Sequence, residues 1–150
     1  MQEIVRRIRF ASETRALASM RAFVVATALS GAVPDGEARR LALAADEAVT
    51  NVIEHGYRGR ADGRIEVEVR VREKRAEVVI RDGGEYFDVA HAPRRPLAPD
   101  PTEPLRVRGL GLKLIHGLMD EVHYRLAADR QNELRLVRFT EGGKRIPGAA

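Results

Sequence analysis

Hydrophobic and charged residues alternate along 65–72, with Ile65, Val67, Val69 and Val71 set against Glu66, Glu68, Arg70 and Arg72. That period of two predicts a strand with one face in the core and one face wet. Residues 3–10 alternate in the same way and predict a first strand; Ala76 to Ile80, about 121–126 and about 133–139 predict three more. Elsewhere the period is 3.6. Ser12 is placed to cap a helix running to about Leu29, with Leu17, Met20, Val24 and Ala28 inward. The turn cluster 30–36 ends it, and a longer helix follows from about Asp35 to His55, where Gly56 is placed to stop it. Its core stripe is Leu41, Ala45, Ala48, Val49, Val52 and Ile53. Residues 89–108 carry five prolines and no period, so no regular structure is expected there. Gly109-Leu-Gly111 then opens a last helix carrying Leu112, Leu114, Ile115 and Leu118, and 142–150 reads as a frayed tail.

The order is strand, two helices, two strands, long loop, helix, two strands. It predicts an α+β fold: a two-layer sandwich whose mixed, mostly antiparallel sheet is covered on one face by helices. One domain, 1–141, is expected from 150 residues without an internal repeat.

Composition narrows the function. Apolar residues at 44% and charged ones at 32% suit a globular chain. No apolar run nears the roughly 18 residues that span a bilayer, and no signal-peptide pattern opens the chain, so no membrane partner is expected. The absence of cysteine excludes disulfides and thiolate metal sites and suits a cytoplasmic location. The net charge of +4 comes from 26 basic residues interleaved with 22 acidic ones, and aromatics are only 5%. Direct nucleic-acid binding is not expected from that pattern, whereas an acidic or phosphorylated ligand is compatible with it.

Three segments carry chemistry. On the long helix, Glu47, Asn51 and Glu54 share the polar face, with His55 at its edge. Asp82-Gly-Gly84 follows a strand; its carboxylate can accept from an exocyclic amine, and Gly84 lets the backbone approach a flat base. Gly109 and Gly111 at a helix start free backbone N–H groups for phosphate. Asn51 offers a neutral oxygen to Mg2+, and Glu47, one turn earlier, can polarise an attacking hydroxyl. Taken singly, each segment has a plainer reading: a solvated helix face, a turn, a helix start, a linker.

Together the three segments resemble the N, G1 and G2 boxes of the GHKL ATPase superfamily, closest to its anti-sigma factor serine kinases. The matching runs are Ala45 to Tyr57, Asp82 to Asp88 and Gly109 to Ile115. The resemblance implies a Bergerat ATP-binding fold using ATP and Mg2+, with residues 89–108 as the ATP lid. It implies Glu47 as catalytic base, Asn51 as Mg2+ ligand and Asp82 as the adenine-reading carboxylate. Gly84, Gly109 and Gly111 would shape the pocket, and His55, Phe87, Leu110 and Leu112 would join it as members of the boxes. A lid arginine, Arg106 or Arg108, would approach the terminal phosphate. The implied partners are a sigma factor and an anti-anti-sigma (STAS-type) protein phosphorylated on serine, with a homodimer in keeping with the family. The alternative is a nucleotide-binding partner-switch protein without catalysis.

Overall fold

The structure is a computed structural model that describes residues 2–85, 110–126 and 131–140. Among the described residues five strands form one sheet: β1 (Ile4–Ala11), β2 (Arg64–Arg72), β3 (Arg75–Asp82), β4 (Glu121–Leu126) and β5 (Asn132–Phe139), in the order β1-β2-β3-β5-β4. All four pairings are antiparallel. Three helices cover one face: α1 (Leu17–Ser30), α2 (Asp35–Asn51) and α3 (Leu110–Leu118). The α+β sandwich predicted from periodicity is therefore the fold observed.

The side-chain period explains the layering. Ile65, Val67, Val69, Val71, Val78, Ile80 and Leu136 all point beneath the helices and are buried. α2 packs between α1 and α3 and also touches the sheet. It is consequently buried on more than the predicted stripe: Ala38, Ala42, Ala44, Asp46, Glu47 and Thr50 are buried as well. All five of its alanines, Ala38, Ala42, Ala44, Ala45 and Ala48, are buried, and short side chains permit the close approach of neighbouring elements.

Two local details depart from the sequence reading. Ser12 does not cap α1. Its hydroxyl donates to the Arg60 carbonyl and accepts from the Gly63 N–H, 3.0 Å away, tying β1 to the loop before β2. A single 3-10 turn, Thr14–Ala16, precedes α1 instead, and Ala16 supplies no side-chain cap. The second departure is at the end of α2, which widens into one π turn over Val52–Gly56, closed by the Tyr57 N–H on the Val52 carbonyl at 2.9 Å.

The uncovered sheet face is not simply wet. Glu68 is 0% exposed there, beneath Arg7, Arg70 and Arg81, and Glu77 and Glu133 are also buried beneath arginines. Burial pushes the Glu66, Glu68 and Glu133 carboxyls up, but the arginine hydrogen bonds and charges outweigh it and hold all three below the usual range.

Candidate nucleotide site

The π turn and the exit from β3 meet at one end of the sheet. The Glu85 N–H donates to the Gly56 carbonyl at 2.7 Å, joining the two segments through the backbone. Gly84 lies so close that a Cβ there would stand 2.8 Å from both the carbonyl carbon and oxygen of Gly56. Tyr57 braces the same corner: its hydroxyl accepts from the Gly83 N–H at 2.8 Å and donates to the Arg64 carbonyl at 2.6 Å. Arg58 and Glu85 add an exposed two-point ion pair across the junction.

A narrow cavity opens beside this corner, walled by Ala48, Asn51 and Val52 on the helix side and by Asp82, Asn132 and Leu134 on the sheet side. Asp82 is the last residue of β3, and its side chain is 5% exposed. Its Oδ1 accepts from the Gly84 N–H at 2.9 Å and from Asn132 Nδ2 at 3.0 Å, whereas Oδ2 takes no hydrogen bond from the described residues. Burial pushes the Asp82 carboxyl above the usual range, and those two donors only partly offset it. A buried carboxylate with donors on one oxygen only is costly to the fold, which makes Asp82 a candidate functional group.

The structure brings some of the sequence candidates together and leaves others apart. Asn51 and Asp82 line one cavity together with Gly56, and Gly84 packs against Gly56. Glu47, one turn before Asn51, is buried, and His55 is exposed within the π turn. Leu110, Gly111 and Leu112 form the first turn of α3. Phe87, Arg106, Arg108, Gly109, the 89–108 segment and the 142–150 tail lie outside the described residues. Asn132 and Tyr124 escaped the sequence reading. Their one signal was a polar residue at each of two inward strand positions, which becomes meaningful only through the register that sets Asp82 opposite Asn132.

The donor set bears on Mg2+. Asn51 presents an amide at the cavity wall, and no group of three or more His, Asp or Glu is gathered among the described residues. That set does not form a protein cage, but it fits a hard cation that keeps waters and shares phosphate oxygens.

With sheet, helices and cavity in place, the class is a two-layer α+β domain, and the comparisons place it in a family. Residues 10–138 match the histidine kinase-like ATPase domain. The chain belongs to that family. It is 38% identical over 86 residues to the serine-protein kinase RsbW of Listeria innocua, covering 55% of this chain and 54% of that protein. It is 38% identical over 90 residues to the serine-protein kinase RsbW of Bacillus licheniformis, covering 57% and 56%. The chain thus spans about half the length of the curated relatives it matches. Among solved structures, the RsbU and RsbW domains of Rv1364c from Mycobacterium tuberculosis share the fold, with a TM-score of 0.61 at 16% identity over 91% of this chain and 32% of that one.

Proposed function

We propose that this chain is an ATP-dependent protein serine kinase of the anti-sigma type. It binds Mg-ATP with the base against Asp82 and transfers the terminal phosphoryl group to a serine of an anti-anti-sigma partner. When that partner is unavailable it sequesters a sigma factor. The reading is supported by the family, by the relatives named serine-protein kinase, and above all by one observation: Asp82, a buried carboxylate whose Oδ2 takes no hydrogen bond from the described residues, lines a cavity whose other wall carries Asn51. Because ATP is the substrate, the cytoplasm is the proposed compartment. Among the described residues no helix is long and apolar enough to cross a membrane.

The chemistry asked of the protein is positioning and charge neutralisation. Asp82 accepts from the exocyclic amine of adenine, and Gly84 removes the side chain that would keep the base away. Mg2+, held by Asn51 and phosphate oxygens, would neutralise charge on the phosphates. Gly109 and Gly111 would offer backbone N–H groups to the phosphates, and Arg106 or Arg108 would serve the terminal phosphate. Glu47 takes the proton of the serine hydroxyl as its oxygen attacks. Residues 1–141 are proposed as one ATPase domain with 89–108 as the lid.

Incubation of the protein with radiolabelled ATP and a candidate partner tests the proposal. The label is expected on a partner serine, and Glu47→Gln should retain ATP binding while losing transfer by at least a hundredfold, the scale of general-base catalysis being roughly 10²–10⁴. Transfer by Glu47→Gln at the wild-type rate overturns the assignment of the base. ATP binding without transfer to any partner favours the non-catalytic switch.

A further inference from the structure

Asn132 occupies the first position of β5, opposite Asp82 across the β3–β5 pairing, and is 2% exposed. Its Nδ2 donates to Asp82 Oδ1 at 3.0 Å and to the Gly84 carbonyl at 2.9 Å, and its Oδ1 accepts from the Tyr124 hydroxyl at 3.1 Å. This partner set fixes which end of the amide is which. A carboxylate and a carbonyl can only accept, so the NH2 group must face them, and the hydroxyl is left to donate to the amide oxygen. Both protons of Asn132 are thereby spent on the two residues that frame the base end of the cavity.

We propose that Asn132, oriented by Tyr124, is the positioning residue that holds Asp82 ionised and turned so that Oδ2 alone meets the ligand, making the site selective for a 6-amino purine over a 6-keto purine. This deepens the proposed function and rests on its ATP site. A carboxylate Oδ2 accepts from an exocyclic amine and repels the lone pairs of a keto oxygen. A protonated Oδ2 is a donor and reverses that preference. Selectivity is therefore a matter of keeping the proton off Asp82, and the geometry gives that task to two donors on Oδ1: the Gly84 N–H and the Asn132 amide. Burial opposes them and has already raised the carboxyl.

The surroundings leave the task to those donors. The titratable groups around Asp82 among the described residues are Tyr57 from the π-turn side, Tyr124 from β4, and Glu85 on the loop beyond Gly84, ion-paired with Arg58. On the β2 side, Asp82 is registered with Ile65, an apolar neighbour. Arg81 and its partners Glu66, Glu68 and Glu133 belong to the opposite sheet face. None of these brings a cation to the carboxylate, and Tyr57 acts in the wrong direction once ionised.

The test is calorimetric titration of the full chain with ATP and with ITP, which carries the 6-keto base hypoxanthine, across pH 5.5–8.5. The wild-type protein is expected to prefer ATP by about tenfold or more near neutral pH, the scale of one charged hydrogen bond. The preference should fade as pH falls through the Asp82 midpoint. Asn132→Leu, similar in shape but without a donor, should move that midpoint to higher pH and cut the ATP-to-ITP ratio at least fivefold. Tyr124→Phe should shift both in the same direction by less. Circular dichroism establishes that each variant is folded, and if Asn132→Leu is not, Tyr124→Phe decides by the same criteria. An equal loss of affinity for both nucleotides, with the midpoint unmoved, makes Asn132 merely structural and overturns the proposal. Failure of the wild-type protein to bind ATP at all instead removes the nucleotide site itself, and this inference with it.

Discussion

Gly84→Ala is the substitution whose consequences the structure fixes most closely. An added Cβ would stand 2.8 Å from the Gly56 carbonyl carbon, 2.8 Å from its oxygen and 3.1 Å from Asp82 Oδ1. Carbon atoms in contact prefer about 3.5–4.0 Å, so the overlap is roughly an ångström, and it falls on backbone that cannot rotate aside. The loop after β3 and the π turn would have to part, stretching the 2.7 Å bond between the Glu85 N–H and the Gly56 carbonyl. Overpacking costs about 1–3 kcal/mol and a weakened hydrogen bond about 1 kcal/mol more. At about 2–4 °C per kcal/mol for a chain of this size, the melting temperature should fall by roughly 4–16 °C. The same displacement moves the Asp82 carboxylate, so ATP affinity should fall at least tenfold, about 1.4 kcal/mol. Differential scanning calorimetry and ATP titration read the two effects. Gly36→Ala is the control: its Cβ meets nothing within 4 Å in the first turn of α2, where alanine is the better helix former. A Gly84→Ala protein melting within 1 °C of wild type and binding ATP equally well would refute the packing argument.

Two further substitutions separate fold from function. Asp82→Asn keeps an oxygen for the Gly84 and Asn132 donors while removing a buried charge, so the ligand-free protein should melt higher at pH 7. Because the Asp82 carboxyl is raised in the folded state, its ionisation costs stability above the folded midpoint. The gain from Asp82→Asn should therefore shrink as pH falls through that midpoint towards 3.8, which a pH series of melting curves reads directly. Glu68→Gln has the opposite character. It strands Arg7, Arg70 and Arg81 over a neutral group; breaking a fully buried pair costs about 3–5 kcal/mol, and this one costs less because Arg7 is 55% exposed. A fall of several degrees is expected at pH 7. Since the Glu68 carboxyl is held low, its contribution is complete above about 4.5 and is lost as pH falls through the folded value, so the variant and wild-type curves should converge in acid.

The fold was legible in the sequence because its layers are written in local periods. The alternation of 65–72 and the stripe of Leu41, Ala45, Ala48 and Val49 each declare a face without reference to anything distant. Ser12 misled because its residue type fits a helix start, while the partners that claim it, Arg60 and Gly63, lie some fifty residues along the chain. The burial of Glu68 was invisible for a similar reason: one strand shows a polar alternate position, and only neighbouring strands show the arginines that close over it. At the site, Asn51, Asp82 and Gly84 could be singled out because each residue type suits one part of a nucleotide and three separate segments offered them together. Asn132 did not, because one asparagine at a strand start carries no message until strand register sets it against Asp82. The π turn left no local mark either, though it sets where Gly56 meets the loop from β3. Glu54 keeps its plain reading as an exposed residue on the polar side of the turn.

The central claim is a Mg-ATP site whose base end is read by Asp82. Calorimetric titration of ATP into the wild-type protein and Asp82→Asn, each with and without Mg2+, tests it most directly. The wild-type protein should show one saturable site that Mg2+ strengthens, and Asp82→Asn should lose at least tenfold in affinity while remaining folded. Equal ATP affinity in the two proteins, or no saturable binding by the wild type in the presence of Mg2+, would contradict it.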